Sequence, residues 1–221
     1  MTIDAYLRGE TKKTGLIDEA IRELSSHSIH VGLLTTAFAS ELGMTQDEAK
    51  HLGVCAVFHD VGKLYIPAEI LQKSGKLTAE EYSIVKKHPL MGAKKLIRAF
   101  EHDTLVSRIA VQHHERYNQL GYPMHLPAAP VDSQIVAVCD CLEAMTAHRS
   151  YKKAMDFQTA YNLVSREACG PFHPTVMKGL CNDNVFNKLK AVNSGEDRPT
   201  EAWLQELAEY KSIFEKSIME E

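Results

Sequence analysis

Apolar residues recur at close to helical spacing along most of the chain. Ile17, Ile21, Leu24, Val31, Leu34, Phe38 and Leu42 predict one long helix over 16–42, with Gly43 as its C-terminal stop. Thr45 and Glu48 form a capping-box pattern that opens a second helix through Ala49, Leu52, Ala56 and Val57 into His59-Asp60. After Gly62 the pattern predicts a loop through Pro67, a short helical turn from Ala68 to Gln72, and a break at Ser74-Gly75. A second capping box, Thr78 with Glu81, opens a helix that ends near His88. Pro89 suits the first turn of the next helix, to Phe100, and Asp103 can cap another that carries Val106, Ile109 and Ala110 toward His113-His114.

The segment from Tyr117 to Val131 has one glycine, three prolines and no sustained period, and reads as a loop. Asp132 is expected to cap a helix running to about His148. Further helices fit Asp156 to Ala168, Pro174 to Lys190 and Thr200 to Met219, with Gly170 as a stop and Asn193 to Pro199 as a polar linker. No strand pairing or internal repeat is apparent, so the fold class expected is all-α.

Length permits one dominant core, assigned to 16–192, with 1–15 as an N-terminal segment that either docks or frays. Residues 193–221 then form a linker and a helix whose Trp203, Leu204, Leu207, Ile213 and Phe214 pack back on the domain. No run approaches the ~18 apolar residues of a membrane span, and no signal peptide is visible, so a cytoplasmic location is expected. The net charge of −4 gives no attraction to DNA or to an anionic membrane. The five cysteines, without a C-x-x-C pair, read as buried thiols; Cys139 and Cys141 lack the second pair that a zinc site would need.

Eleven histidines are many for this length, and their placement matters more than their number. His59-Asp60 offers an imidazole beside a carboxylate that can bridge two divalent ions, although such a dipeptide also arises by chance. Lys63 lies where a cation can reach a phosphate oxygen, and by spacing alone it is equally a solvated lysine. His113-His114-Glu115 adds adjacent imidazoles at a helix end. Asp140 is a lone carboxylate in the apolar run Ile135 to Leu142, where ligation explains it better than burial without a partner. Glu23 and His27 share a helix face, as two ligands of one ion or as mere surface neighbours. His30, His51, His102, His125, His148 and His173 have no comparable partner and are assigned structural places. Spacing alone would put His88 with them.

In order, His27-Ser28 with Val31, His59-Asp60-Val61-Gly62-Lys63, Ile66-Pro67, Lys87-His88-Pro89, His113-His114-Glu115-Arg116, Gly121-Tyr122-Pro123, and Asp140 with Ala144, Thr146, Arg149 and Tyr151 resemble the HD-GYP family. These are HD-domain metal-dependent phosphohydrolases of bacterial signalling that cleave cyclic dinucleotides, chiefly cyclic di-GMP. The resemblance spans roughly 20–180 and implies an HD-domain helical bundle with the metal site between helices and a Gly-Tyr-Pro loop.

It further implies His27, His59, Asp60, His88, His113, His114 and Asp140 as ligands, Asp60 bridging, and Glu23 supporting a third ion. Two or three divalent ions follow, iron first and manganese second. Hydroxide held by the metals would attack phosphorus, giving a linear dinucleotide and, with further cleavage, GMP. Lys63 would assist at the phosphate, which Arg149 and Lys152 would hold. The Gly121-Tyr122-Pro123 loop is expected as a lid or a surface for a protein partner.

Two departures stand out. Asn118-Gln119 replaces the family's Asp-Gly, and Glu143 replaces an Asp three residues after the last ligand, which bears on its pairing with Lys63. A dinucleotide-binding module with little turnover, or another HD-type nucleotide hydrolase, remain the alternatives.

Overall fold

The long amphipathic segment forms helix α1, Gly15–Glu41, and Thr45 caps α2, Gln46–Val57, through the reciprocal bonds of a full capping box with Glu48. The structure, a computed structural model, describes residues 15–147, 153–166 and 170–219, with side chains from 26 to 218 among these. A 3-10 turn, Val61–Tyr65, leads to α3, Ala68–Leu71, and α4, Ala79–Val85, the latter opened by the Thr78–Glu81 capping box. Then come α5, His88–Ala99, with Pro89 in its first turn, and α6, Thr104–Gln112, capped by Asp103. Helix α7, Val131–Thr146, follows the Pro-containing loop, and α8, Phe157–Ser165, is capped by Asp156. Helices α9, Pro174–Gly179, α10, Asp183–Asn193, and α11, Glu201–Met219, complete the order. No strand occurs among the described residues, and the fold is an all-α bundle, as the sequence pattern expects.

Helix α7 is the axis of the core. Ile135, Val136, Ala137, Val138, Cys139 and Leu142 are fully buried, so apolar side chains face every direction around this stretch. Helix α1 packs on both α2 and α7, α5 packs on α6, and α11 lies against α2 and α5. Trp203 anchors α11: its ring is buried and its indole N–H donates to Thr36 Oγ1 at 3.0 Å. Truncating such a side chain to alanine costs about 3–5 kcal/mol.

Three expectations fail locally. Asp132 does not cap α7; Pro130 occupies that position, and the Asp132 carboxylate grips Arg108 with two bonds of 2.7 Å. The expected helix over 174–190 breaks after Gly179, because the Asn182 side chain accepts from Asn184 N and starts α10 afresh. Cys181 is exposed and Cys141 partly so, whereas Cys55 and Cys139 are buried as expected; Cys169 lies outside the described residues.

Candidate metal centre

Five elements converge on Asp60. His27 comes from α1, His59 and Asp60 from the end of α2, His88 from the start of α5, His113 and His114 from the end of α6, and Asp140 from α7. Close approach makes this convergence possible. A Cβ on Gly62 would stand 1.9 Å from the carbonyl oxygen of His88, so only glycine lets the turn after Asp60 touch the helix that carries His88.

The two oxygens of buried Asp60 face different groups. Oδ1 lies 3.2 Å from His88 Nε2 and 3.6 Å from His113 Nε2. Oδ2 lies 3.3 Å from His59 Nε2 and 3.5 Å from His27 Nε2, and Lys63 Nζ bonds to it as well. Asp140 joins the second group, with Oδ1 3.3 Å from His27 Nε2 and 3.9 Å from His59 Nε2. His114 joins the first, its ring centroid 4.0 Å from that of His113.

Backbone carbonyls decide which nitrogen of each ring faces inward. His59 Nδ1 meets Ala56 O at 2.7 Å, His88 Nδ1 meets Val85 O at 2.7 Å, and His113 Nδ1 meets Ala110 O at 2.9 Å. A carbonyl can only accept, so each Nδ1 carries the proton and each Nε2 presents a lone pair. His88 Nε2 and His113 Nε2 therefore aim lone pairs at each other across 3.3 Å, with the Asp60 carboxylate beside them. Among the described residues, His59 Nε2 and Asp60 Oδ1 have no hydrogen-bond partner although both are buried. These two acceptors are what a cation would satisfy, and the ligand atoms of Asp60, His88, His113 and His114, like those of His27, His59 and Asp60, lie within 4.8 Å of one another.

Titration follows the same geometry. Burial pushes His113 down to about 4, and burial with the neighbouring His113 holds His114 well below its ordinary value; both rings are neutral and ready to ligate at neutral pH. Burial opposes ionisation of Asp60 and Asp140. The charges and hydrogen bonds around them overcome it, Lys63 foremost for Asp60 and His27 for Asp140, and both carboxyls lie well below the usual range. Burial also opposes a charge on His27, but Asp140, Asp60 and Glu143 raise it well above its ordinary value.

Two glutamates noted in the sequence, Glu115 within the His-His-Glu motif and Glu143 as a departure expected to bear on Lys63, support the centre through other partners. The Glu143 carboxylate bonds His27 Nδ1 from behind, the arrangement that orients and strengthens a ligating imidazole. Its position three residues after Asp140 on the same helix was the available signal. Glu115, fully buried, accepts from Met124 N at 2.6 Å and Leu126 N at 3.1 Å, tying the following loop to the end of α6. That loop packs Tyr122 on His114, ring centroids 4.6 Å apart. A Cβ on Gly121 would meet Arg116 N at 2.4 Å and His114 O at 2.5 Å. Asn118 Oδ1 accepts from Leu120 N at 3.1 Å, as an aspartate would, whereas Gln119 holds a left-handed φ of 66° where the resemblance expects glycine.

The Glu23 side chain, Arg149 and Lys152 lie outside what the structure describes. No described helix is long and apolar enough to cross a membrane.

A model of the HD domain family matches residues 13–176. The chain belongs to the HD domain family, of HD-GYP type. Cyclic di-GMP phosphodiesterase PA4108 of Pseudomonas aeruginosa is 34% identical over 156 residues, covering 70% of this chain and 37% of that protein. The 3'3'-cGAMP-specific phosphodiesterase 1 of Vibrio cholerae is 34% identical over 190 residues, 84% of this chain and 43% of that protein. The chain thus spans under half the length of these relatives. The solved structure of Bd1817, an HDG"Y"P protein from Bdellovibrio bacteriovorus, shares the fold with a TM-score of 0.58 at 24% identity, over 71% of this chain and 51% of that one. HD domains are metal-dependent, and the His/Asp groups around Asp60 are donor sets that could hold ions.

Proposed function

We propose that this HD domain is a metal-dependent phosphoric diester hydrolase that opens a cyclic dinucleotide, cyclic di-GMP first. The observation that carries the reading is the division of Asp60, with one oxygen toward His88 and His113 and the other toward His27 and His59. A carboxylate shared in this way would hold two ions as a pair. When bound, such a pair supplies a nucleophile from water and stabilises the attacking and leaving oxygens of an in-line displacement.

The chain's own residues do the rest. His27, His59 and Asp140 would hold one ion, and His88, His113 and His114 the other. Imidazole and carboxylate donors suit iron first and manganese second. Glu23, one helical turn before His27, would support a third ion and with it cleavage of the linear dinucleotide to GMP. Lys63, which bonds Asp60, would reach a phosphate oxygen. Arg149 and Lys152 would hold the phosphates, by resemblance alone. We place the catalytic unit at 16–192 with 193–221 packed on it, in the cytoplasm, and Leu120 and Met124, 82% and 53% exposed beside Tyr122, on the face a protein partner would meet.

The names of the two relatives support cyclic dinucleotides as the substrate class and divide on which one. Anaerobic purification with metal quantification, then product analysis on cyclic di-GMP and 3'3'-cGAMP, tests the reading. Wild type should cleave at least one, and Asp60→Ala should lose both metal and turnover. Metal-loaded protein that leaves both dinucleotides intact overturns it. The strained Gln119 favours one second reading, a binder with little turnover, which tight binding without product would identify.

A further inference from the structure

Two turns of α2 before His59, a separate group of donors occupies the junction of α2, α6 and α11. His51 and Cys55 stand four residues apart on one face of α2, and Asp103, the cap of α6, reaches between them. His51 Nε2 is 3.2 Å from Asp103 Oδ2, and Cys55 Sγ is 3.8 Å from both that oxygen and His51 Nε2. Tetrahedral zinc with bonds of ~2.0–2.3 Å sets its ligand atoms about 3.3–3.7 Å apart, so the three donors approximate one face of such a tetrahedron. Behind the imidazole, Glu206 of α11 receives His51 Nδ1 at 3.0 Å. That is the carboxylate–histidine pairing which fixes a ligand's tautomer and leaves Nε2 free to bind.

We infer that His51, Cys55 and Asp103 form a second metal site, for a zinc-class divalent ion, with a fourth position open to water. The donor set differs in kind from the one around Asp60: it contains a thiolate, which selects a softer ion than iron or manganese in oxygen and nitrogen ligands. Burial together with Asp103 and Glu206 pushes the Cys55 thiol up, so the ion displaces one proton from sulfur as the metal–sulfur bond forms. The site also has a mechanical consequence. Glu206 and Tyr210, four apart on α11, grip His51 and Asp103, the tyrosine hydroxyl donating to Asp103 Oδ2 at 2.5 Å, so an ion here clamps the last helix to the core.

The test uses the full chain with its iron or manganese centre loaded first. Equilibrium dialysis against zinc should add one ion per chain. Cobalt in its place should give a near-ultraviolet thiolate-to-metal charge-transfer band, which nitrogen and oxygen donors around Asp60 cannot produce. Cys55→Ser should abolish the band, Cys141→Ser should keep it, and Glu206→Gln should weaken zinc binding about 10–100-fold. His51→Gln, at a partly exposed position, gives a second arm should Cys55→Ser fold poorly, and it too should lose the added ion. Wild type that takes up no further zinc, or a cobalt band that survives Cys55→Ser, overturns the inference.

Discussion

Glu115 offers the sharpest test of how the loop over the centre is held. Its carboxylate is fully buried and its two oxygens accept separate backbone N–H groups, from Met124 at 2.6 Å and Leu126 at 3.1 Å. Hydrogen bonds to a charged acceptor contribute about 1.5–3 kcal/mol each when buried. Met124 is 53% exposed, so water can replace part of what is lost at that end. Glu115→Gln keeps one acceptor and sets an NH2 against the other N–H, for an expected loss of about 1–2 kcal/mol. Glu115→Ala removes both acceptors and leaves a small cavity, for about 3–4 kcal/mol. At about 2–4 °C per kcal/mol for a chain of this size, the melting temperature should fall by about 2–8 °C and about 6–16 °C respectively. Calorimetry measures this, and limited proteolysis at 117–130 should speed up in the same order. Equal melting temperatures for wild type and Glu115→Ala, or cleavage no faster in either variant, would refute the view that this carboxylate fastens the loop.

Other outcomes follow from the same geometry. Gln119→Gly should stabilise the protein by about 0.5–1 kcal/mol, because relief of a left-handed side chain outweighs the added chain entropy; a lower melting temperature would count against the strain. Glu143→Gln should weaken metal retention about 10–100-fold in a chelator competition while leaving the melting temperature of the chelated protein within a few degrees. Chelator-treated protein should lose stability on acidification. His113 titrates at about 4 in the folded chain against an ordinary 6.5, so the unfolded chain binds the extra proton between those values and stability falls as pH drops through that window, by about 3 kcal/mol for this residue. Above 6.5 the raised pKa of His27 acts in the opposite sense, its contribution fading as pH climbs toward the folded value. A denaturation midpoint that is flat between pH 6.5 and 4.5 would contradict the buried neutral imidazole.

Local signals carried the helices well wherever the determinant was local. Both capping boxes, the Asp103 and Asp156 caps and Pro89 in a first turn act within four residues, and the chain obeys them. Asp132 was misjudged because its carboxylate has a better partner 24 residues away in Arg108, and the break before α10 was missed because Asn182 interrupts an apolar period that otherwise continues. His88 could not be found by spacing: its partners, Asp60 and His113, are 28 and 25 residues distant, and only the ordered motif pattern pointed to it. Glu115 and Glu143 stood out as motif positions, but their partners, the loop N–H groups and His27 Nδ1, are defined by what lies across the helix interface. His51 has no partner in the sequence pattern although Cys55 follows four residues on, because Asp103 and Glu206, which complete the group, are supplied by tertiary packing.

The inner and outer parts of the centre are built by different means, and that difference explains how the loop tip can depart from its family at Asn118 and Gln119. His59, His88 and His113 are each oriented by a backbone carbonyl three residues earlier at a helix end, so their geometry depends on the fold and on close approaches such as Gly62 against His88. The loop is held by side chains instead, Glu115 from below and Tyr122 on His114, and its tip at Asn118 and Gln119 has changed identity while keeping the turn. Substitution there reshapes what meets a ligand without disturbing the donors around Asp60. Metal retention and loop order should therefore separate experimentally, with Glu143→Gln moving the first and Glu115→Gln the second. A chain in which both variants lost metal and loop order together would have one cooperative site rather than a rigid centre beneath an adjustable cover.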